Sequence, residues 1–133
     1  MAINVTWADA EQTILRWNFV GRWNWREVSR ALDHSRQLLA DHDALSAMIY
    51  DIRQSGLIPA DIVTHLRNTT YNPPAQLSNS HKIVIGADDY LQTFWNTFAQ
   101  TLPAKCKVTF VDSLDAAYEL VEKTRQIHNA HHR

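Results

Sequence analysis

The chain has 133 residues, 45% of them hydrophobic and 20% charged, with a formal net charge of -1 at pH 7. That length fits one domain of roughly 100–150 residues, and the charge balance excludes both the basic footprint of a nucleic-acid binder and the acidic bias of a disordered tail. No run approaches the ~20 apolar residues of a membrane span, and the opening stretch MAINVTWADAEQ lacks the parts of a signal peptide, so a cytoplasmic protein is expected.

The first segment alternates. Ile3, Val5 and Trp7 share one face, as do Leu15, Trp17 and Phe19, with polar residues between them. Period two predicts strands with one buried face, and the short polar link from Ala8 to Gln12 predicts an antiparallel hairpin. A helix follows. Asn24 is placed to cap it, Glu27 completes a capping box, and Trp23 with Val28 has the spacing of a hydrophobic staple. Val28, Ala31, Leu32, Ser35, Leu38 and Leu39 recur at helical spacing, and the helix should end near Asp41.

The apolar run from Ser46 to Ile52 reads as a central strand, although a buried helical piece has the same pattern. Gly56 and Pro59 break the chain. A helix is expected from about Pro59, with Ile62, Val63 and Leu66 as its apolar stripe, and Pro73 and Pro74 stop it. The polar stretch from Thr69 to Ser80 reads as the longest loop. Lys82 to Gly86 is the next strand, followed by a helix carrying Leu91, Phe94, Trp95, Phe98 and Leu102. Lys107 to Val111 is the last strand. Asp112 or Ser113 caps a final helix with Ala117, Leu120 and Val121 inward, and the tail from His128 should fray. The expectation is an α/β fold: a mixed sheet of about five strands, opened by the hairpin, with about four helices. Residues 1–127 form one domain and 128–133 a flexible tail.

The order resembles the STAS fold of bacterial anti-sigma-factor antagonists and their SpoIIAA-like relatives. The residues that carry this are Gly21-Arg22-Trp23-Asn24-Trp25 before the first helix, Tyr50-Asp51-Ile52-Arg53-Gln54-Ser55 after the third strand, and the run from Phe110 to Ala117. The resemblance implies helices mainly on one sheet face and a regulatory module that binds a protein partner. Its phosphorylated serine falls at the start of the helix after the middle strand. Here that stretch is Ile58-Pro59-Ala60-Asp61-Ile62, with no Asp-Ser-(Ser/Thr)-Gly arrangement. Asp61 stands near the phosphosite as a fixed negative charge, and Ser55 lies earlier in the same loop.

Asp51, Asp88, Asp89 and Asp112 all fall near carboxyl ends of expected parallel strands, where open α/β sheets place ligands. They suit a divalent cation or, more plainly, helix caps and first-turn acids. Arg53 can hold a phosphate or carboxylate bidentately, or pair with Asp51 or Asp61 and hold the loop; the second reading takes precedence. The seven histidines lack zinc-site spacing, Cys106 has no base near it in sequence, and three glycines are too few for a phosphate cradle. No catalytic residue, metal or cofactor is therefore expected. Trp7, Trp17 and Trp95 are expected in the core; Trp25, beside Arg22 and Arg26, packs locally against the helix on the favoured reading, or stands exposed to anchor a partner or cover a cleft for an apolar ligand. The candidate binding residues are Trp25, Asp51, Arg53, Ser55, Ile58, Asp61 and Ile62. The expected partner is a protein. The alternative is a small apolar ligand or lipid, held in a cavity lined by Trp95 and Phe98. A homodimer is the commonest assembly, but no residue pattern marks its interface.

Overall fold

The structure is a computed structural model that describes residues 2–59, 61, 64, 73–99 and 108–131. Five strands form one sheet: β1 (Ile3–Trp7), β2 (Ile14–Gly21), β3 (Ala47–Ser55), β4 (His81–Ile85) and β5 (Val108–Val111). Among the described residues four helices accompany them: α1 (Trp25–Leu38), α2 (Ala75–Ser78), α3 (Asp89–Ala99) and α4 (Leu114–His131). The strands lie in chain order, β1-β2-β3-β4-β5. β1 and β2 are antiparallel and every later pair is parallel. This is the mixed α/β sheet that the alternation of patterns implies.

The hairpin is set by Asp9. Its Oδ1 accepts the backbone N–H groups of Thr13 and Ile14, at 2.9 and 3.0 Å, and its Oδ2 accepts the Thr13 hydroxyl. Gln12 takes the left-handed conformation at φ 59°, which lets the chain turn back into β2. The start of α1 follows the sequence closely. The Asn24 side chain accepts the Glu27 backbone N–H at 3.1 Å, and Trp23 and Val28 are buried in the same cluster.

Alternation along each strand creates two different sheet faces. Leu15, Trp17, Phe19, Met48, Tyr50, Ile52 and Val84 pack with Val28, Ala31 and Leu32 of α1 and Leu77 of α2, and Leu91 of α3 lies against them. Ile14, Ala47, Ile49, Ile83 and Ile85 point the other way and pack with Ala117 and Val121 of α4. The helices thus divide, α1, α2 and α3 on one face and α4 on the opposite one. Successive right-handed crossovers that step one strand in the same direction keep their connections on one side. α4 follows the last strand and is free of that rule. It covers apolar side chains of β3 and β4 that would otherwise face water.

Other differences from the sequence reading are local. β3 does not stop at Ile52. A bulge between Asn18 and Val20 shifts the register, after which Gln54 and Ser55 pair with Val20 and Gly21. Arg53, Gln54 and Ser55 are therefore strand residues, not loop residues. The polar connection before β4 contains α2, whose Leu77 is fully buried. α4 continues through His131, so the helix takes in the start of the expected tail. Trp17 is core, whereas Trp7 is only half-buried and stacks on His42 at 4.8 Å between ring centroids.

Two buried polar contacts tie the α1 face together. Trp17 Nε1 donates to Ser35 Oγ at 3.0 Å, and that hydroxyl donates to the Ala31 carbonyl at 2.7 Å. Lys82 is fully buried, and its Nζ donates to the carbonyls of Leu77 and Ser80 at 2.8 and 3.2 Å. Replacing Ser35 with Ala leaves the Trp17 N–H without its acceptor in the core. The expected cost is about 1–3 kcal/mol, read as a lower urea midpoint at unchanged slope.

Candidate functional site

The parallel strands β2, β3 and β4 end along one edge of the sheet, and most of the sequence-derived candidates fall there or just below it. Asp51 occupies the row Asn4, Asn18, Asp51 and Ile85 that crosses four strands on the α4 face. Its side chain is 1% exposed. A carboxylate so placed must be compensated, because burial disfavours its charged form. Two guanidiniums do this. Arg16 Nη2 and Arg53 Nη2 each donate to Asp51 Oδ2 at 2.6 Å, while Arg53 Nε donates to Oδ1 at 2.9 Å. The Arg53 backbone N–H adds a contact to Oδ1 at 3.3 Å.

Burial raises the Asp51 pKa, but the hydrogen bonds from Arg53 and Arg16, the backbone amide and the Arg53 charge outweigh it and hold the group at about 2, against an ordinary 3.8. The same hydrogen bond to Asp51 raises the Arg53 guanidinium. Asp51 is thus an ion-pair centre rather than a helix cap. Arg53 takes the structural role weighed for it, with Asp51 as its partner.

Gly86 makes room for that arrangement. Its φ is +88°, and a Cβ there would stand 2.6 Å from Arg53 Cγ. A side chain at 86 would strain the backbone and displace Arg53 from Asp51.

The end of β3 is tied to the end of β2. Trp23 Nε1 donates to Ser55 Oγ at 2.8 Å, Ser55 Oγ donates to the Gly56 carbonyl at 2.9 Å, and Gly56 N–H donates to the Gly21 carbonyl at 2.8 Å. The Ser55 hydroxyl is therefore engaged both as acceptor and as donor. Ile58 and Trp25 are half-buried against the core beneath α1, and Asp61 is exposed. Ile62 lies outside the described residues, as do Cys106 and the side chains of Trp95 and Phe98. Asp88 and Ser113 act as caps: Asp88 Oδ1 accepts the Leu91 N–H at 2.8 Å, and Ser113 Oγ accepts the Ala116 N–H at 3.1 Å.

Three exposed apolar residues at this edge were not singled out by the sequence. Val20 is 40% exposed at the end of β2, Leu57 is 92% exposed just after β3, and Tyr90 is 75% exposed in the first turn of α3, after β4. A lone Leu between Gly56 and Ile58 carries no periodic signal, so only the folded chain marks it as exposed. Among the described residues, no group of His, Cys, Asp and Glu is arranged to hold a metal ion, and no helix is long and apolar enough to cross a membrane. No protein-family model matches the chain, and no curated protein matches its sequence.

Two measurements check the ion-pair centre. Because the folded pKa of Asp51 lies below its ordinary value, its contribution is present above pH 3.8 and is lost as pH falls toward 2. That contribution is roughly 2 kcal/mol by linkage. Urea midpoints of the wild type should fall through this window, and those of D51N should fall less. Gly86→Ala should lower stability by at least ~1 kcal/mol from the positive φ alone. Loss of the Arg53 Nε–H signal position in NMR spectra should accompany it.

Proposed function

We propose that the chain is a noncatalytic, STAS-like interaction module that binds a regulatory protein partner through the carboxyl edge of its sheet. The observation that carries this reading is the set of exposed apolar side chains at or after the carboxyl ends of three adjacent strands: Val20 at the end of β2, Leu57 after β3 and Tyr90 in α3, which follows β4. Exposed apolar groups gathered at one edge mark contact surfaces more often than isolated ones do, and tyrosine is a frequent anchor at protein interfaces. Half-buried Trp25 and Ile58 extend the same rim, and exposed Asp61 adds a charge beside it.

The resemblance to bacterial anti-sigma-factor antagonists supports this, since it puts partner binding in the segment after the middle strand, where Leu57 lies. The usual phosphoserine switch is not part of the proposal. Ser55 is already hydrogen-bonded to Trp23 and Gly56, and the expected serine motif is absent from the sequence. No base–nucleophile pair is formed among the described candidates, which favours binding over catalysis.

The test is native mass spectrometry of the protein purified from its own host, beside L57D and Y90D. The wild type should carry a protein partner in fixed stoichiometry. Each substitution should weaken that complex by about ten-fold or more, as loss of a buried apolar side chain does, with the melting temperature unchanged. A complex that is indifferent to both substitutions, or a bound lipid in place of a protein, overturns the proposal.

A further inference from the structure

The sheet face that carries α4 is apolar over β3 and β4 apart from Asp51 and His81, and beyond Ile14 it is polar over β1 and β2. Asn4 and Thr6 of β1 are exposed on it, and Arg16 and Asn18 of β2 are half-buried. Asn18 is the register partner of Asp51. Arg16 stands two residues before Asn18 on the same strand face, and Arg53 two residues after Asp51. Two guanidiniums and one carboxamide therefore border a single buried carboxylate.

The charges in this group do not balance. Arg16 and Arg53 bring two positive charges to the one negative charge of Asp51. Each guanidinium has five N–H donors, and of these Asp51 accepts from Arg16 Nη2, Arg53 Nε and Arg53 Nη2. Among the described residues, no acceptor meets the buried Arg16 Nε. The Asn18 carboxamide lies half-buried on the same strand face as Arg16. Both arginine side chains are partly exposed, at 26% and 43%, and Asp51 holds their guanidiniums in place.

We propose that Arg16, Asn18 and Arg53 form a binding site for a carboxylate-bearing ligand, with Asp51 as the residue that positions the two guanidiniums. The planar fork of arginine matches a carboxylate, and a pre-oriented fork loses less freedom on binding. A monoanion neutralises the net single positive charge, whereas a phosphate dianion overshoots it. The site faces away from the α1 side of the sheet and does not depend on the apolar rim that is proposed to meet a partner protein.

Acetate is the probe. The full chain is titrated with sodium acetate at constant ionic strength and neutral pH, following the side-chain N–H signals of Arg53 and Asn18 by NMR. Saturable shifts of both are expected, with a dissociation constant in the millimolar range. R53Q should abolish saturation. Because R53Q also removes a partner of buried Asp51, N18L serves as the second variant: it leaves the ion pairs intact and should weaken acetate binding roughly five-fold, the effect of one lost hydrogen bond. Shifts that never saturate, shifts that are equal in N18L and the wild type, or tighter binding of inorganic phosphate than of acetate each overturn the proposal.

Discussion

A carboxylate buried in the middle strand of a sheet is tolerated only when cations reach it, and Asp51 organises much of its surroundings through that requirement. Arg16 arrives from β2 and Arg53 from two residues further along β3, and both donate to the same oxygen. To do so Arg53 lies against Gly86, which closes β4 with a positive φ that other residues resist. One ion-pair centre thus links β2, β3 and the end of β4. Removing any member leaves the others either unneutralised or without a reason for their conformation.

The second constraint is topological. A sheet wound strand by strand in one direction has its crossover helices on one face, so the apolar residues on its other face need a separate cover. α4 supplies it for β3 and β4 through Ala117 and Val121. Over β1 and β2, beyond Ile14, the same face is polar instead: Thr6 and Arg16 lie in the row that continues through Ile49 and Ile83, and Asn4 and Asn18 in the row of Asp51 and Ile85. The chemistry of each half of the face therefore matches what lies over it.

The two proposed surfaces use different physics and different parts of the sheet. At the carboxyl edge, Val20, Leu57 and Tyr90 present apolar area to solvent, the first two on segments held by the Trp23–Ser55 and Gly56–Gly21 contacts and Tyr90 on α3. On the polar half-face, guanidinium donors are held by a buried carboxylate. A rigid base beneath an exposed contact group lowers the entropy lost on binding in both cases.

Local patterns in the sequence determine the elements and the side of each strand that is buried. Alternation in β1 and β2, the Asn24 cap and the Trp23–Val28 staple depend on residues within a few positions of one another, and the structure contains them; of the adjacent candidates Asp88 or Asp89 and Asp112 or Ser113, it uses Asp88 and Ser113 as caps. Parallel pairing follows from the alternation of strand and helix. Other features needed the tertiary structure. Asp51 meets Arg16, which lies 35 positions away, and no periodicity encodes that meeting. The bulge that keeps Arg53 and Ser55 within β3, the burial of Lys82 under the carbonyls of α2, the choice of face by α4 and the exposure of Leu57 depend on register and packing between distant segments. Periodicity records which face of an element avoids water; what that face meets is decided only when the elements assemble.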